Sequence, residues 1–251
     1  MKKSLFLNYL NLPQLLSLLI FLGCFSESNA QSEWVSLFNG KNFDGWVVPE
    51  GDNNQWKIID GVIDYNAMSQ SEGDKNLWTS DEFQDFELKL DWRLTETPYI
   101  NPNVAIIKPD GRYKRDENGD VIRISMPDSD SGIYLRGSSK AQVNIWSWPV
   151  GSGEVWGYRT DPNMPHDVVA AATPIVHADN DIGEWNAFLI RMVGDRLTVE
   201  LNGILVIDNA HLPGVGGSGP IALQHHGRME NGEWVSPPSL VQFRNIYIRE
   251  L

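Results

Sequence analysis

The fold is decided by the closing stretch Gly219-Pro-Ile-Ala-Leu-Gln-His-His-Gly227. Successive side chains of a β-strand point to opposite faces, so the isoleucine and leucine of this stretch can pack into a core. If the strand continues that far, Gln224 and His226 point the other way, whereas His225 points toward the core side or the strand end. Gln224 and His226 are therefore the first candidates for a site on the open face of a sheet.

Hairpin patterns precede this stretch along the chain. Trp56–Tyr65 is typical of two strands around Asp60-Gly61, a pair that accepts the positive φ of a type I′ turn. The segment 188–208 repeats the pattern, with turns at Gly194-Asp195 and Asn202-Gly203. It predicts a three-stranded antiparallel meander.

Two further segments carry the alternation of strands that have one buried face. Phe86–Leu94 alternates apolar and charged residues, so a register slip of one residue would bury its charges. Ser131–Arg136 and Ala141–Trp146 are predicted to pair, with Gln142, Asn144 and Trp146 on one face of the second strand.

Many short strands, and no convincing amphipathic helix after the N-terminal segment, predict an all-β sandwich of jelly-roll type. The segments 97–130 and 148–184 are long and rich in Pro, Gly and Asp. Loops of this length in a compact domain are often functional, so we expect them to shape the rim of a binding face.

Residues 1–30 have the pattern of an export signal, with two early lysines, an apolar run over Leu15–Leu22 and small residues ending at Ala30. The apolar run is too short for a membrane span. We expect a single domain over 31–251, exported to a bacterial periplasm or cell envelope. Cys24 lies where a lipoprotein signal places its lipidated cysteine, so soluble secretion and a lipid anchor both remain open.

Composition narrows the class of partner. Cys24 is the only cysteine, so the predicted domain can form no disulfide and use no catalytic thiol. The net charge of −13 argues against nucleic acid, which demands clustered cations. Ten tryptophans favour a carbohydrate partner, because sugar rings stack their C–H faces on indole, although individual indoles could equally be core. The sequence predicts no particular oligomeric state.

An ordered set of short motifs carries a family resemblance across the mature chain. The motifs are Leu37-Phe-Asn-Gly-Lys-Asn-Phe-Asp-Gly-Trp46, Trp56-x-Ile58-x-Asp60-Gly61, Phe83-x-Asp85-Phe86-Glu87-Leu88, Asp91-Trp-Arg93, Ser131-Gly-Ile133, Gly183-Glu-Trp-Asn186, Leu201-Asn-Gly203, Leu223-Gln224-x-His226-Gly227 and Phe243-Arg-Asn-Ile246. The chain resembles the 3-keto-disaccharide hydrolase family, which includes 3-keto-glucoside 1,2-lyase and 3-keto-2-hydroxy-glucal hydratase domains. The set is specific as a whole, although each motif alone is weak.

The resemblance implies a concanavalin-like jelly roll of two antiparallel sheets, with the site on a concave face. It also implies an exported enzyme that acts on glycosides already oxidised at C3. Where many members resemble Tyr-Glu-x-Gln-x-x-Asp, this chain has Ala141-Gln-Val-Asn-Ile-Trp-Ser147. Two carboxylates are missing there, so their roles do not transfer.

A 3-ketone acidifies the C2 proton of the sugar, so a base can remove it and the C1 substituent can leave by β-elimination, with water adding afterwards. His226 is the first candidate for base or acid, because imidazole titrates near neutrality. Glu154, framed by glycines, is the second and could replace the missing carboxylates. Simpler roles remain open for both, as a histidine bonded to a loop and an exposed loop glutamate.

The predicted substrate-binding residues are Asp91, Arg93, Arg136, Gln142, Asn144, Trp146, Trp148 and Gln224. Arg136 and Arg93 are proposed to contact the enolate and hydroxyl groups, although an ion pair between Arg93 and Asp91 would explain that pair without a ligand.

A divalent metal ion is a further option, held by His226, Glu154 and Asp91, yet no metal-binding motif is present. Asp128 and Asp130 are compatible with Ca²⁺ and more simply with a polar turn.

Three functions compete on this fold. The leading one is an exported 3-keto-glycoside lyase or hydratase, and its main rival is a non-catalytic, lectin-like carbohydrate-binding module. An ordinary β-glucanase is disfavoured, because no strand carries the Glu-x-Asp-x-x-Glu spacing that places two carboxylates on one face.

Overall fold

The computed structural model describes Met1 and residues 33–251. The predicted export signal, its cleavage site and Cys24 lie outside the described residues. Within the described part of the chain, no helix is both long enough and apolar enough to cross a membrane.

The described strands and helices follow one another along the chain. They are β1 Val35–Ser36, β2 Trp46–Val47, β3 Trp56–Ile59, β4 Val62–Asn66, β5 Leu77–Phe83, β6 Phe86–Leu94, β7 Tyr99–Ala105, β8 Arg123–Asp128, β9 Asp130–Leu135, β10 Ser138–Trp146, α1 Trp156–Arg159, α2 His166–Ala171, β11 Asn186–Val193, β12 Arg196–Leu201, β13 Ile204–His211, β14 Gly219–Leu223, β15 Arg228–Glu230, β16 Glu233–Ser236 and β17 Leu240–Glu250.

Two antiparallel sheets form the sandwich. The larger sheet has eight strands in the order β13-β12-β11-β6-β17-β4-β3, with β1 paired to β17. The smaller has five strands in the order β10-β9-β14-β5-β2. This arrangement confirms the predicted all-β, jelly-roll sandwich of two antiparallel sheets.

The core lies between the two sheets and follows the predicted alternation. On β6 the apolar residues Phe86, Leu88, Leu90, Trp92 and Leu94 are all buried. Their charged neighbours point away from the core, as expected from the strand period.

The predicted turns are confirmed at all three hairpins, and Gly194-Asp195 links β11 to β12. Asp60 and Gly61 have φ values of 51° and 78°, and β3 pairs with β4 around them. Asn202 and Gly203 have φ values of 54° and 77°, and link β12 to β13. Positive φ at both central residues is the geometry that these residue types favour.

The two long segments contain more regular structure than predicted. Segment 97–130 forms the hairpin of β7 and β8, and segment 148–184 contains α1 and α2. These helices have four and six residues, too few for an amphipathic period to show in the sequence. Segment 148–184 nevertheless supplies part of a cavity rim, as expected.

Candidate functional site

A cavity of about 510 Å³ lies on the face of the five-stranded sheet that points away from the core. Strands β9 and β10 and the segment that follows β14 supply most of the lining side chains. The region around α1 closes one side of the cavity. The lining residues are Asp130, Tyr134, Ser139, Lys140, Gln142, Asn144, Trp156, Gly157, Thr160, Asp161, Gln224 and His226. The structure therefore brings together Gln142, Asn144, Gln224 and His226, four of the residues that the sequence predicted.

Three amide side chains form the floor of this cavity. Gln142 Nε2 donates to Gln224 Oε1 at 2.8 Å and also to Asn144 Oδ1. The side chain of Gln142 lies across Gly132, where an added Cβ would stand 2.6 Å from Gln142 Nε2. A glycine is needed at that position because any larger residue would displace the amide.

His226 has one ring nitrogen fixed and the other directed to a carboxylate. Nδ1 lies 2.6 Å from the carbonyl oxygen of Pro237, and a carbonyl can only accept, so Nδ1 carries a proton. Nε2 lies 4.0 Å from Oδ2 of Asp130. The side chain is 37% exposed, so Nε2 can exchange a proton with a ligand in the cavity.

Asp130 is the carboxylate that lines the cavity opposite His226. Its side chain is only 20% exposed, and Oδ1 is buried without a hydrogen-bond partner among the described residues. Burial raises the pKa of Asp130 to about 7, although the facing His226 opposes the rise; Asp128 adds to it. Near neutral pH this carboxyl group can therefore both give and take a proton.

Glu154 lies behind the cavity instead of facing it. Its side chain is fully buried, and its carboxylate forms an ion pair with Arg159. Burial raises its pKa to about 7, against the opposing effect of Arg159. The backbone of Glu154 accepts from the Asn144 N–H at 2.9 Å, so this segment extends the sheet beyond β10. The expectation that Glu154 is a catalytic group in contact with substrate is thus corrected, because no part of its side chain reaches the cavity.

Asp91 and Arg93 lie on the outer face of the eight-stranded sheet. Leu90 and Trp92 point into the core, so their neighbours on β6 must point outward. Arg93 Nε donates to Gln242 Oε1 at 2.8 Å, and its guanidinium lies 4.7 Å from the ring centroid of Trp185. The expectation that Asp91 and Arg93 share a site with His226 is therefore corrected.

Arg136 is a buried structural residue at the end of β9. Its side chain is 1% exposed and forms a salt bridge of 2.9 Å with Asp85. It also donates to the carbonyl oxygens of Gln84, Gly194 and Gly216. The predicted substrate contact is corrected, because these bonds connect separate turns of the fold and leave the guanidinium inaccessible.

Trp146 and Trp148 stack on one another with ring centroids 4.2 Å apart. Trp146 borders a second cavity of about 330 Å³, and neither indole lines the cavity that contains His226. Trp148 Nε1 donates to Asp128 Oδ2 at 2.9 Å, and Asp128 is fully buried. The predicted role of both indoles in lining the sugar groove with Gln142 is corrected.

Two aromatic residues of the site were missed by the sequence argument. Tyr134 lies next to Trp78, with ring centroids 5.8 Å apart, and Trp156 on α1 is 46% exposed at the cavity. Strand parity could have identified Tyr134, since it shares a face with Asp130 and Gly132. No signal in the sequence distinguishes Trp156 from the other indoles.

His225 contacts the core side, away from the cavity. Its Nδ1 lies 2.7 Å from the hydroxyl oxygen of Tyr65, and burial lowers its pKa to about 4. β14 ends at Leu223, before the histidine pair, yet the two rings point to different sides as predicted.

The proposed metal set is not assembled. His226 lies at the smaller sheet, Asp91 lies on the outer face of the larger sheet, and Glu154 is sealed by Arg159. Within residues 33–251, no cluster of three or more His, Cys, Asp or Glu side chains is arranged to hold a metal ion. Asp128 ends β8 and Asp130 begins β9, so the predicted polar turn is corrected to strand structure. Asp128 accepts hydrogen bonds from Asn101, Ser147 and Trp148.

Comparison with known families gives one match that covers nearly all of the described residues. The family model described as the 3-keto-alpha-glucoside-1,2-lyase-like domain matches residues 33–249. A comparison with curated proteins finds no significant match.

Three solved structures of proposed glycosyl hydrolases from Parabacteroides distasonis have the same fold. The first is 21% identical with a TM-score of 0.54, over 87% of this chain and 84% of that one. The second is 17% identical with a TM-score of 0.51, over 87% and 94%. The third is 20% identical with a TM-score of 0.50, over 87% and 100%. Likeness at these identities shows the fold alone.

Proposed function

This chain belongs to the 3-keto-alpha-glucoside-1,2-lyase-like domain family, and from this membership we propose that it cleaves 3-keto-glycosides by β-elimination, hydration or both. The observation that carries the proposal is the pair of His226 and Asp130 in one cavity, with His226 Nε2 free to accept a proton. The substrate is a glycoside or oligosaccharide whose sugar carries a ketone at C3.

In the first step His226 Nε2 removes the C2 proton of the keto sugar. The electrons of the C2–H bond form an enolate with the C3 carbonyl. When the C3 carbonyl re-forms, a double bond forms between C1 and C2, and the C1–O bond breaks. Water then adds at C1, and a proton returns to C2, which yields the free keto sugar.

Asp130 is assigned as the acid that protonates the departing oxygen. Its raised pKa supplies a protonated carboxyl group near neutral pH. After the transfer, Asp130 is an anion and His226 is a cation, and their separation of 4.0 Å makes that charge pair favourable. The pair can therefore hold the charges that develop during elimination.

The amide floor is assigned to the enolate oxygen. Asn144 and Gln224 accept hydrogen bonds from Gln142 through their carbonyl oxygens, so the orientation of both amides is fixed. Their NH₂ groups are then the remaining donors, and oriented donors stabilise a developing oxyanion. Trp156, with its exposed indole, is assigned to stacking against the sugar ring.

A non-catalytic binding module is the alternative. A binding module gains nothing from a buried carboxyl group that faces a free imidazole nitrogen, because such burial costs free energy without adding affinity. His226→Ala distinguishes the two functions: an enzyme retains substrate binding and loses turnover, whereas a binding module has no turnover to lose.

The direct test is incubation of the purified protein with a 3-keto-glucoside that carries a chromogenic aglycone, beside the unoxidised parent glucoside. We expect aglycone release from the oxidised compound only. Release from neither compound, with binding intact, would show that the protein is a binding module. Release from the parent would indicate ordinary glycoside hydrolysis.

We also propose that the protein is exported, because residues 1–30 have the pattern of an export signal. Cellular fractionation of the native host protein checks this location, and labelling with a lipid precursor distinguishes an anchor at Cys24 from soluble secretion.

A further inference from the structure

A second polar and aromatic concavity lies on the opposite side of the sandwich from His226. It has a volume of about 610 Å³ and lies on the outer face of the eight-stranded sheet. Its functional groups are Trp34, Lys89, Asp91, Glu200, Asn245 and Tyr247. These residues take no part in the elimination chemistry, and Asp91 belongs to a motif that the first site leaves unexplained.

Strand register builds this concavity as a row across four strands. Tyr247 pairs with Lys89, Lys89 pairs with Leu189, and Leu189 pairs with Glu200. Lys89 and Glu200 are thus two strand spacings apart, roughly 9–10 Å between their backbones. Next to Leu189 along the same face, the exposed Ala187 leaves the floor open because its side chain is short.

A β-bulge directs an amide into this concavity. The pairing of β17 with β6 shifts between Arg244 and Tyr247, and Asn245 within the bulge has a φ of 53°. Its side chain donates to Asp91 Oδ2 at 2.7 Å, and Arg244 Nε donates to the same oxygen at 3.1 Å. Bulges commonly redirect a side chain toward a site.

The charges of the concavity favour an uncharged ligand. Asp91 is balanced by Arg244, and Lys89 lies over the rings of Trp34 and Tyr247 at 4.3 Å and 5.1 Å. The guanidinium of Arg249, which is paired with Glu87, lies 4.8 Å from the centroid of Trp34. Glu200 and Lys89 carry opposite charges in the same lining, so the concavity has no net charge to hold an acidic sugar. The net charge of −13 also opposes a polyanion.

We propose that this outer face is a second, non-catalytic site that binds a neutral hexose residue of a polysaccharide chain. The rings of Trp34 and Tyr247, beside the cations that lie over them, supply the apolar contact together with Leu189. Lys89, Asn245 and Glu200 supply donors and an acceptor for hydroxyl groups. Such a site would hold the enzyme on an unoxidised polysaccharide while the other cavity processes oxidised glycosides.

Affinity electrophoresis of the mature protein tests the site, with dextran, laminarin or xyloglucan in the gel and polygalacturonate as the anionic comparison. We expect at least one neutral polysaccharide to retard the wild type and polygalacturonate to have no such effect. Trp34→Ala, Tyr247→Ala and Ala187→Arg should each weaken retardation by about tenfold, the equivalent of losing one good contact. Ala187→Arg fills the floor at an exposed position, so it keeps the test decisive if an aromatic variant folds poorly.

Trp156→Ala and His226→Ala are the matched controls at the opposite face. Both should be retarded like the wild type, which separates this site from the proposed catalytic one whether or not turnover is observed. The proposal is overturned if no neutral polysaccharide retards the wild type, if the three outer-face variants are retarded normally, or if retardation depends on Trp156 or His226.

Discussion

Asp130→Asn replaces a buried ionisable carboxyl group with a neutral amide of the same shape. It should raise the stability of the protein above neutral pH and lower its activity. Burial raises the pKa of Asp130 from 3.8 to about 7. The unfolded chain ionises first as the pH rises from about 4, so the wild type loses stability between pH 4 and pH 7. The difference of about 3 pKa units corresponds to an upper bound of about 4 kcal/mol.

Asparagine does not carry this cost. The variant should match the wild type near pH 4 and exceed it at pH 8 by up to about 4 kcal/mol in the free energy of unfolding. Its kcat/KM on a 3-keto-glucoside should fall by about 10²–10⁴, the usual contribution of a general acid. Denaturant unfolding at several pH values, together with steady-state kinetics, measures both effects.

Asp161→Asn is the matched control, since Asp161 lines the same cavity but a hydrogen bond from Lys140 lowers its pKa. It should gain no stability at pH 8. Asp130 is not the acid if Asp130→Asn keeps its turnover within tenfold, and it is not a buried titrating group if the stability of this variant relative to the wild type does not change between pH 4 and pH 8.

Three further substitutions probe the fold and the site. His226→Gln should lower kcat/KM by about 10²–10⁴ because the proton acceptor is lost, and unchanged steady-state kinetics would exclude His226 as the base. Gly132→Ala places a Cβ 2.6 Å from Gln142 Nε2, so it should cost about 1–3 kcal/mol in unfolding measurements and lower kcat by misplacing the donors to the enolate oxygen; normal stability and kcat would show that the amide floor is adaptable. Arg136→Met removes the partner of Asp85 and the donor to three carbonyl groups, so it should cost about 3–5 kcal/mol. The kcat of the folded fraction should stay unchanged, and a selective fall in kcat would assign Arg136 to the site.

The sheets could be predicted because their signals are local. Asp60-Gly61 and Asn202-Gly203 each fix a hairpin, and the alternation of Phe86–Leu94 fixes which face is buried. Parity also placed Gln142, Asn144, Gln224 and His226 on one open face, and the cavity contains all four.

The site predictions that proved wrong concern residues whose surroundings depend on which strands become neighbours in the sheets. Alternation shows that Asp91 points outward from β6, but not that β6 belongs to the sheet opposite His226. Nothing local to Arg136 reveals the three turns whose carbonyl groups surround it. Glu154 is buried because its backbone extends the sheet beside Asn144, a pairing that the loop-like composition of its segment conceals.

Asp130 shows a different limit. Its position between Asp128 and Gly132 suggested a polar turn, and its importance depends on burial and on the approach of His226 from a segment nearly a hundred residues away. Long-range juxtaposition of this kind leaves no periodic trace in a single sequence.

A 3-keto-glucoside labelled with deuterium at C2 shows whether the C2 proton is removed before the glycosidic bond breaks. The reaction is run in ordinary water, and the released sugar is examined by NMR against a blank without enzyme. We predict that the wild type releases aglycone with loss of the C2 label, at a rate slower than that with unlabelled substrate. Aglycone release at an unchanged rate, with the label retained in the product, would contradict proton abstraction by His226.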